Sequence, residues 1–133
     1  MAVQLSVAVR NARLDQVEAI IGTAAVLKIR TGAQPADCAA ADTGTVLASM
    51  TLPSDWMNAA SSGTKTKLGT WQDASADAAG TAAHFRVYAS DGTTCGLQGS
   101  VGQGSGDLSL DNTVIAVGQT VTINTFTLTD GNA

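Results

Sequence analysis

The sequence predicts an all-β fold: a β-sandwich of jelly-roll type, with roughly seven or eight short antiparallel strands and an N-terminal helix or arm. Three observations predict it. From Ala25 onward, short runs alternate apolar and polar side chains. Turn-forming Gly, Asn, Asp and Pro residues separate those runs. Before Ala25 the apolar spacing is three or four, the period of a helix. The expected division is a helix or arm over residues 1–24 and a β-sandwich over residues 25–133. A chain of 133 residues fits one domain and can bury about two-thirds of its unfolded surface. With 44% hydrophobic but only 4% aromatic residues, its core must come from Val, Leu, Ile and Ala.

In the helix, Val3, Val7, Arg10, Leu14, Val17 and Ile21 share one face, with Ser6 as N-cap and Gly22 as the closing residue. Arg10 interrupts that stripe and would hold its head in water. The helix either packs on its own sheet or docks on another subunit. Ala25, Leu27 and Ile29 then face one way and Lys28 and Arg30 the other, a half-buried strand whose cations read as solvated, a pattern that also suits an edge strand or an acidic partner surface. Residues 31–43 form a loop. Residues 45–52 form a strand that Pro53 ends. Ser54 caps one short helical turn in which Trp56 and Met57 plug the core. Residues 59–69 are a loop or weak strand, a further strand starts near Trp71, and residues 73–80 are a surface loop.

Residues 81–101 read as the central hairpin, turning at Ser90-Asp91-Gly92-Thr93. Phe85 and Val87 share one face, and His84, Arg86 and Tyr88 the other. Rings on both faces predict a strand covered on both sides, or one whose outer face meets a partner. Residues 102–106, GQGSG, read as a flexible turn, and short strands follow near Leu108 and Val114. In the last strand, Val121 and Ile123 are out of phase with Phe126 and Leu128. A β-bulge at Asn124-Thr125 would bring both pairs inward.

No motif points to catalysis, so the chain is not expected to be an enzyme. His84 has no nucleophile elbow or orienting acid in sequence. No EF-hand, phosphate loop or internal repeat is present. Cys38 and Cys95 are too few for a disulfide framework or a thiolate metal site. They read as two partly buried thiols, with one disulfide left open. No metal or cofactor is expected. The net charge is −4, and beyond Arg86 there are four Asp and no Lys or Arg, which disfavours nucleic acid and anionic membranes as partners. Neither a signal peptide nor a transmembrane run is visible, so a soluble protein made in a cytoplasm is expected.

Three stretches, AVQLSVAVRNARLDQVEAIIGTAAVLKIRTGA, TWQDASADAAGTAAHFRVYASDGTTCGLQGSV and DLSLDNTVIAVGQTVTINTFTLTDGNA, cover nearly the whole chain. Together they resemble small structural proteins encoded among the virion genes of tailed bacteriophages. The resemblance implies a virion component, carried on the particle. Within that class, a capsid decoration (cement) protein is the leading expectation. Such a protein binds the major capsid protein or further copies of itself as a homo-oligomer, and stabilises the assembled shell by binding only that form. The interface would use Val3, Val7, Leu14, Val17 and Ile21 of the helix, the β edges, and outward His84, Arg86 and Tyr88. Alternatives are a tail, head–tail junction or fibre-base protein, or a carbohydrate-binding β-sandwich using Trp56, Trp71 and Tyr88 as platforms.

Overall fold

The computed structural model describes residues 3–131. One helix, α1 (Val7–Ile21), precedes ten strands: β1 (Val26–Arg30), β2 (Val46–Thr51), β3 (Thr64–Thr66), β4 (Gln72–Asp73), β5 (Gly80–Thr81), β6 (His84–Tyr88), β7 (Cys95–Gly102), β8 (Leu108–Leu110), β9 (Val114–Ile115) and β10 (Val121–Thr129). Mostly β with one N-terminal helix, the chain has the predicted class. The strand arrangement differs from the predicted one. The main sheet runs β2-β1-β6-β7-β8-β10-β3, with β4 also on β10, and β5 pairs only with β9. It is a single curled sheet with a small second one. It is also mixed, because Val101 and Gly102 of β7 pair in parallel with Leu108 and Ser109 of β8.

That parallel step has a local cause. The 103–107 loop doubles back tightly instead of swinging freely. Asp107 Oδ2 accepts from Ser100 N at 2.9 Å, and Ser109 Oγ accepts from Gly104 N at 2.9 Å. A Cβ on Gly102 or Gly106 would overlap the backbone of the loop's other limb, so the chain can approach itself this closely only at glycine.

The hairpin is where the sequence places it. β6 and β7 pair antiparallel from His84↔Ser100 to Tyr88↔Cys95. Asp91 fixes the turn by accepting from the Thr93 and Thr94 amides at 2.9 and 2.8 Å. All five residues of β6 are buried. β10 shifts register between Ile123 and Thr125, so Val121, Ile123 and Phe126 all reach the core. At the core's centre Trp56, Trp71, Phe126 and Phe85 contact one another in series, with ring centroids 5.5–5.9 Å apart. Trp56 and Met57 plug the core as expected, but in an irregular segment without the helical turn.

Two expectations about edges are corrected. β1 is interior, lying between β2 and β6, because its cations find partners within the chain: Lys28 sits 5.0 Å from the centre of the Tyr88 ring, and Arg30 pairs with Asp42. The outer strands are also occupied. Leu47 O of β2 accepts from Asp77 N, and Ser49 N donates to Asp73 Oδ2. On β3, Thr66 O accepts from Asn58 N, while Thr64 and Ser61 exchange backbone hydrogen bonds. Contact with a partner through these β edges would have to displace backbone and side-chain groups the chain already places there.

Helix α1 is capped as read. Ser6 Oγ accepts from Val9 N at 3.2 Å, and the Gly22 N–H donates to Glu18 O at 2.9 Å. It packs on its own domain, with Leu14 and Ile21 buried and Val17 against the core. Ile21 lies over Gly96, where a Cβ would collide with it.

Candidate functional site

The face carrying His84, Arg86 and Tyr88 is not outward. Their exposures are 1%, 2% and 0%. Neither α1 nor a neighbouring subunit covers them. Residues 31–45, an irregular strap between β1 and β2, lie across that face of the sheet. His84 Nδ1 lies 2.9 Å from Gly32 O. A carbonyl only accepts, so Nδ1 carries the proton, and the buried Nε2 is left without a partner. Arg86 is fully engaged: Nη1 donates to Asp42 Oδ1 at 2.8 Å, Nη2 to Asp37 O at 2.9 Å, and Nε to Gln98 Oε1 at 3.0 Å. Tyr88 Oη donates to the same Asp42 oxygen at 2.6 Å, and Arg30 Nη2 stands 3.2 Å from Asp42 Oδ2. Gln98 Nε2 donates to Pro35 O, and Cys38 reaches Cys95.

Asp42 is the hub. Burial pushes its carboxyl up, but the Tyr88 hydroxyl and the Arg30 and Arg86 guanidiniums more than reverse this, so it titrates below the usual carboxylate range. Burial and Asp42 together hold the Tyr88 phenol above its ordinary value. The arrangement sets one carboxylate between two guanidiniums and fixes the strap. It offers no nucleophile activated by a base, and among the described residues no three His, Cys, Asp or Glu side chains could hold a metal.

A second polar cluster fastens α1. Glu18 Oε2 accepts from the Trp56 and Met57 amides, each at 3.0 Å. Lys65, 2% exposed, donates to Asp15 Oδ1 at 2.7 Å and Asn58 O at 2.9 Å, and lies 3.2 Å from Glu18 Oε1. Burial pulls the Lys65 amine down, but the two carboxylates outweigh it and raise it. Lys65 and the Ala60 amide in turn lower Asp15. A hollow of ≈ 440 Å³ beside this cluster is lined by Asp15, Glu18, Ser54 and Asp55, and it exists where the helix bridges to the 54–59 segment. A groove of ≈ 430 Å³ opens between β7 and β10 beyond short β8, with Phe85, Leu97 and Phe126 among its lining residues.

The consequence for α1 is a helix fastened by polar contacts on the flanks of its buried apolar stripe. Its four charged side chains all bond to the β body: Arg10 donates to Asp130 O, Arg13 pairs with the Asp130 carboxylate, and Asp15 and Glu18 meet Lys65. The Arg10 head therefore turns to the end of β10 and not to water. On the outer side, Val7, Val9 and Ile20 are exposed, at 48%, 46% and 79%, and just before the helix Val3 is 75% exposed. The predicted interface set thus divides. Val3 and Val7 are open, Val17 is half-buried, and Leu14, Ile21, His84, Arg86 and Tyr88 are enclosed within the chain. Val9 and Ile20, which the sequence reading passed over, join the open group.

All five aromatic side chains, Trp56, Trp71, Phe85, Tyr88 and Phe126, are buried, so none provides a surface platform for a sugar. Among the described residues no helix is long and apolar enough to cross a membrane. No protein-family model, curated protein or solved structure matches the chain.

Proposed function

We propose that this protein is a non-enzymatic structural component of a bacteriophage virion, a capsid decoration protein that binds the major capsid protein in many copies. The observation that carries the proposal is the group of apolar side chains that α1 leaves exposed. A surface helix normally turns its charges to solvent and its apolar stripe inward. Here Leu14 and Ile21 are buried in the usual way and all four charges bond to the body, yet Val7, Val9 and Ile20 are also left exposed. Exposed apolar surface on a helix held rigidly from behind is what a docking element requires. The enclosed polar clusters and covered outer strands support a body that acts by binding, as does the resemblance across the chain. Another virion part, such as a tail or junction protein, would use the same surface at lower copy number.

The test is a double substitution, Val9→Asp with Ile20→Asp. Both residues are exposed, so folding should be retained, with a thermal midpoint within a few degrees of the parent. Binding to particles that lack the protein should fall at least tenfold in a cosedimentation assay. Unchanged decoration of the particles would overturn the helix-docking role.

A further inference from the structure

We infer that Cys38 and Cys95 form an intramolecular disulfide that latches the strap onto the central hairpin once the protein meets an oxidising environment. The two residues are 57 apart in sequence, yet their Sγ atoms lie 2.7 Å apart, closer than two unbonded sulfurs normally approach. Both are free thiols here and both are half-buried. A disulfide bond is about 2.05 Å long, so closure asks the sulfurs to move together by roughly 0.7 Å. The backbone already delivers them. Cys95 faces Tyr88 across the hairpin, on the same side as Arg86, and Cys38 follows Asp37, whose carbonyl is held by Arg86.

The strap needs such a latch. It has no regular structure, and Pro35 is its one buried residue. What holds it is polar: the contacts of Asp42, Asp37, Pro35 and Gly32 with β1, β6 and β7. In a reducing cytoplasm the thiols stay apart and these contacts act alone. Outside the cell, a small-molecule disulfide such as oxidised glutathione supplies the oxidant. The Cys38 thiolate attacks one of its sulfurs and releases one thiol. Cys95 then loses its proton and attacks Cys38 in the mixed disulfide, releasing the second thiol. The net change is two protein thiols and one small disulfide converted into one protein disulfide and two small thiols. Burial and the adjacent Cys38 push the Cys95 thiol up to about 12, which leaves Cys38 to open the exchange. The inference is independent of the virion reading, since it concerns only this chain.

The full-length protein, purified reduced, is equilibrated with oxidised glutathione and followed by intact mass, thiol alkylation and thermal unfolding. Both thiols should disappear together, with the mass of an unmodified monomer less two hydrogens. The thermal midpoint should rise by roughly 5–15 °C, because a long loop of the unfolded chain is closed, and reduction should reverse the rise. Hydrogen exchange in residues 33–44 should slow. Cys95→Ser should accumulate a single glutathione adduct, Cys38→Ser should stay largely reduced, and neither should show the rise. Two alkylatable thiols after equilibration, two glutathione adducts on one chain, or disulfide-linked dimers as the product would overturn the latch.

Discussion

Replacing Asp42 with Ala should destabilise the protein by about 2–4 kcal/mol. The change strips the counter-ion from Arg86 and Arg30, whose side chains are 2% and 8% exposed, and leaves the Tyr88 hydroxyl without its acceptor. Breaking a buried ion pair by removing one partner typically costs about 3–5 kcal/mol. The lower range applies here because Asp42 itself is 40% exposed and water screens part of the interaction. Arg86 also keeps Gln98 and Asp37 as acceptors. Urea unfolding should show the loss, and hydrogen exchange should place it first in residues 31–45. The same residue governs the acid limb. The folded pKa of Asp42 lies below the unfolded value of about 3.9, so its contribution is present above that pH and fades as pH falls through the folded value. The parent's stability should therefore fall below about pH 4, and more steeply than that of Asp42→Ala. Equal slopes would remove Asp42 from the hub position.

Replacing Glu18 with Ala should cost about 3–5 kcal/mol, a large share of the 5–15 kcal/mol typical of a domain. Two amides, those of Trp56 and Met57, would lose their acceptor in a segment where both residues are buried. Each unsatisfied buried donor costs about 1–3 kcal/mol. Lys65 would keep only Asp15 as a charged partner. Glu18→Gln should lose about half as much, because its single oxygen can still accept from an amide. Tryptophan fluorescence reports the change directly, since Trp56 also donates from Nε1 to Gly22 O at the end of α1. Glu18→Ala should also weaken particle binding, because the helix would no longer be presented rigidly. A loss below about 0.5 kcal/mol would mean that α1 is not fastened through this carboxylate.

Local features were legible in the sequence, and distant ones were not. Ser6 and Gly22 could be read because capping depends on neighbours three or four residues away. The β10 bulge could be read because Val121 and Ile123 conflict in phase with Phe126 and Leu128, and only a slipped register brings both pairs inward. The alternation in β6 correctly grouped His84, Arg86 and Tyr88, but it could not say what lies over them. Their cover comes from Asp42, 44 residues from Arg86. A buried Arg needs an anion, and that was the available clue: the strap holds two, Asp37 and Asp42. The helix was legible in part, for a related reason. Periodicity placed Leu14, Val17 and Ile21 inward, where they lie, but it could not show that Lys65 holds Asp15 and Glu18 or that Val7 at the helix start stays exposed. Nothing in the alternation around Thr64, Lys65 and Thr66 marks Lys65 as buried. The parallel β7–β8 step depends on a loop folding back on itself, which a Gly-rich stretch permits but does not encode.

A decoration protein is distinguished from other virion parts by its abundance on the particle, and stoichiometry measures that directly. The proposed function makes the chain a phage product, so virions would be purified to homogeneity and the protein quantified against the major capsid protein by mass spectrometry with labelled standards. A decoration protein should be present in hundreds of copies per particle, in a fixed ratio to the capsid subunit. A few copies per particle, or none, would contradict it.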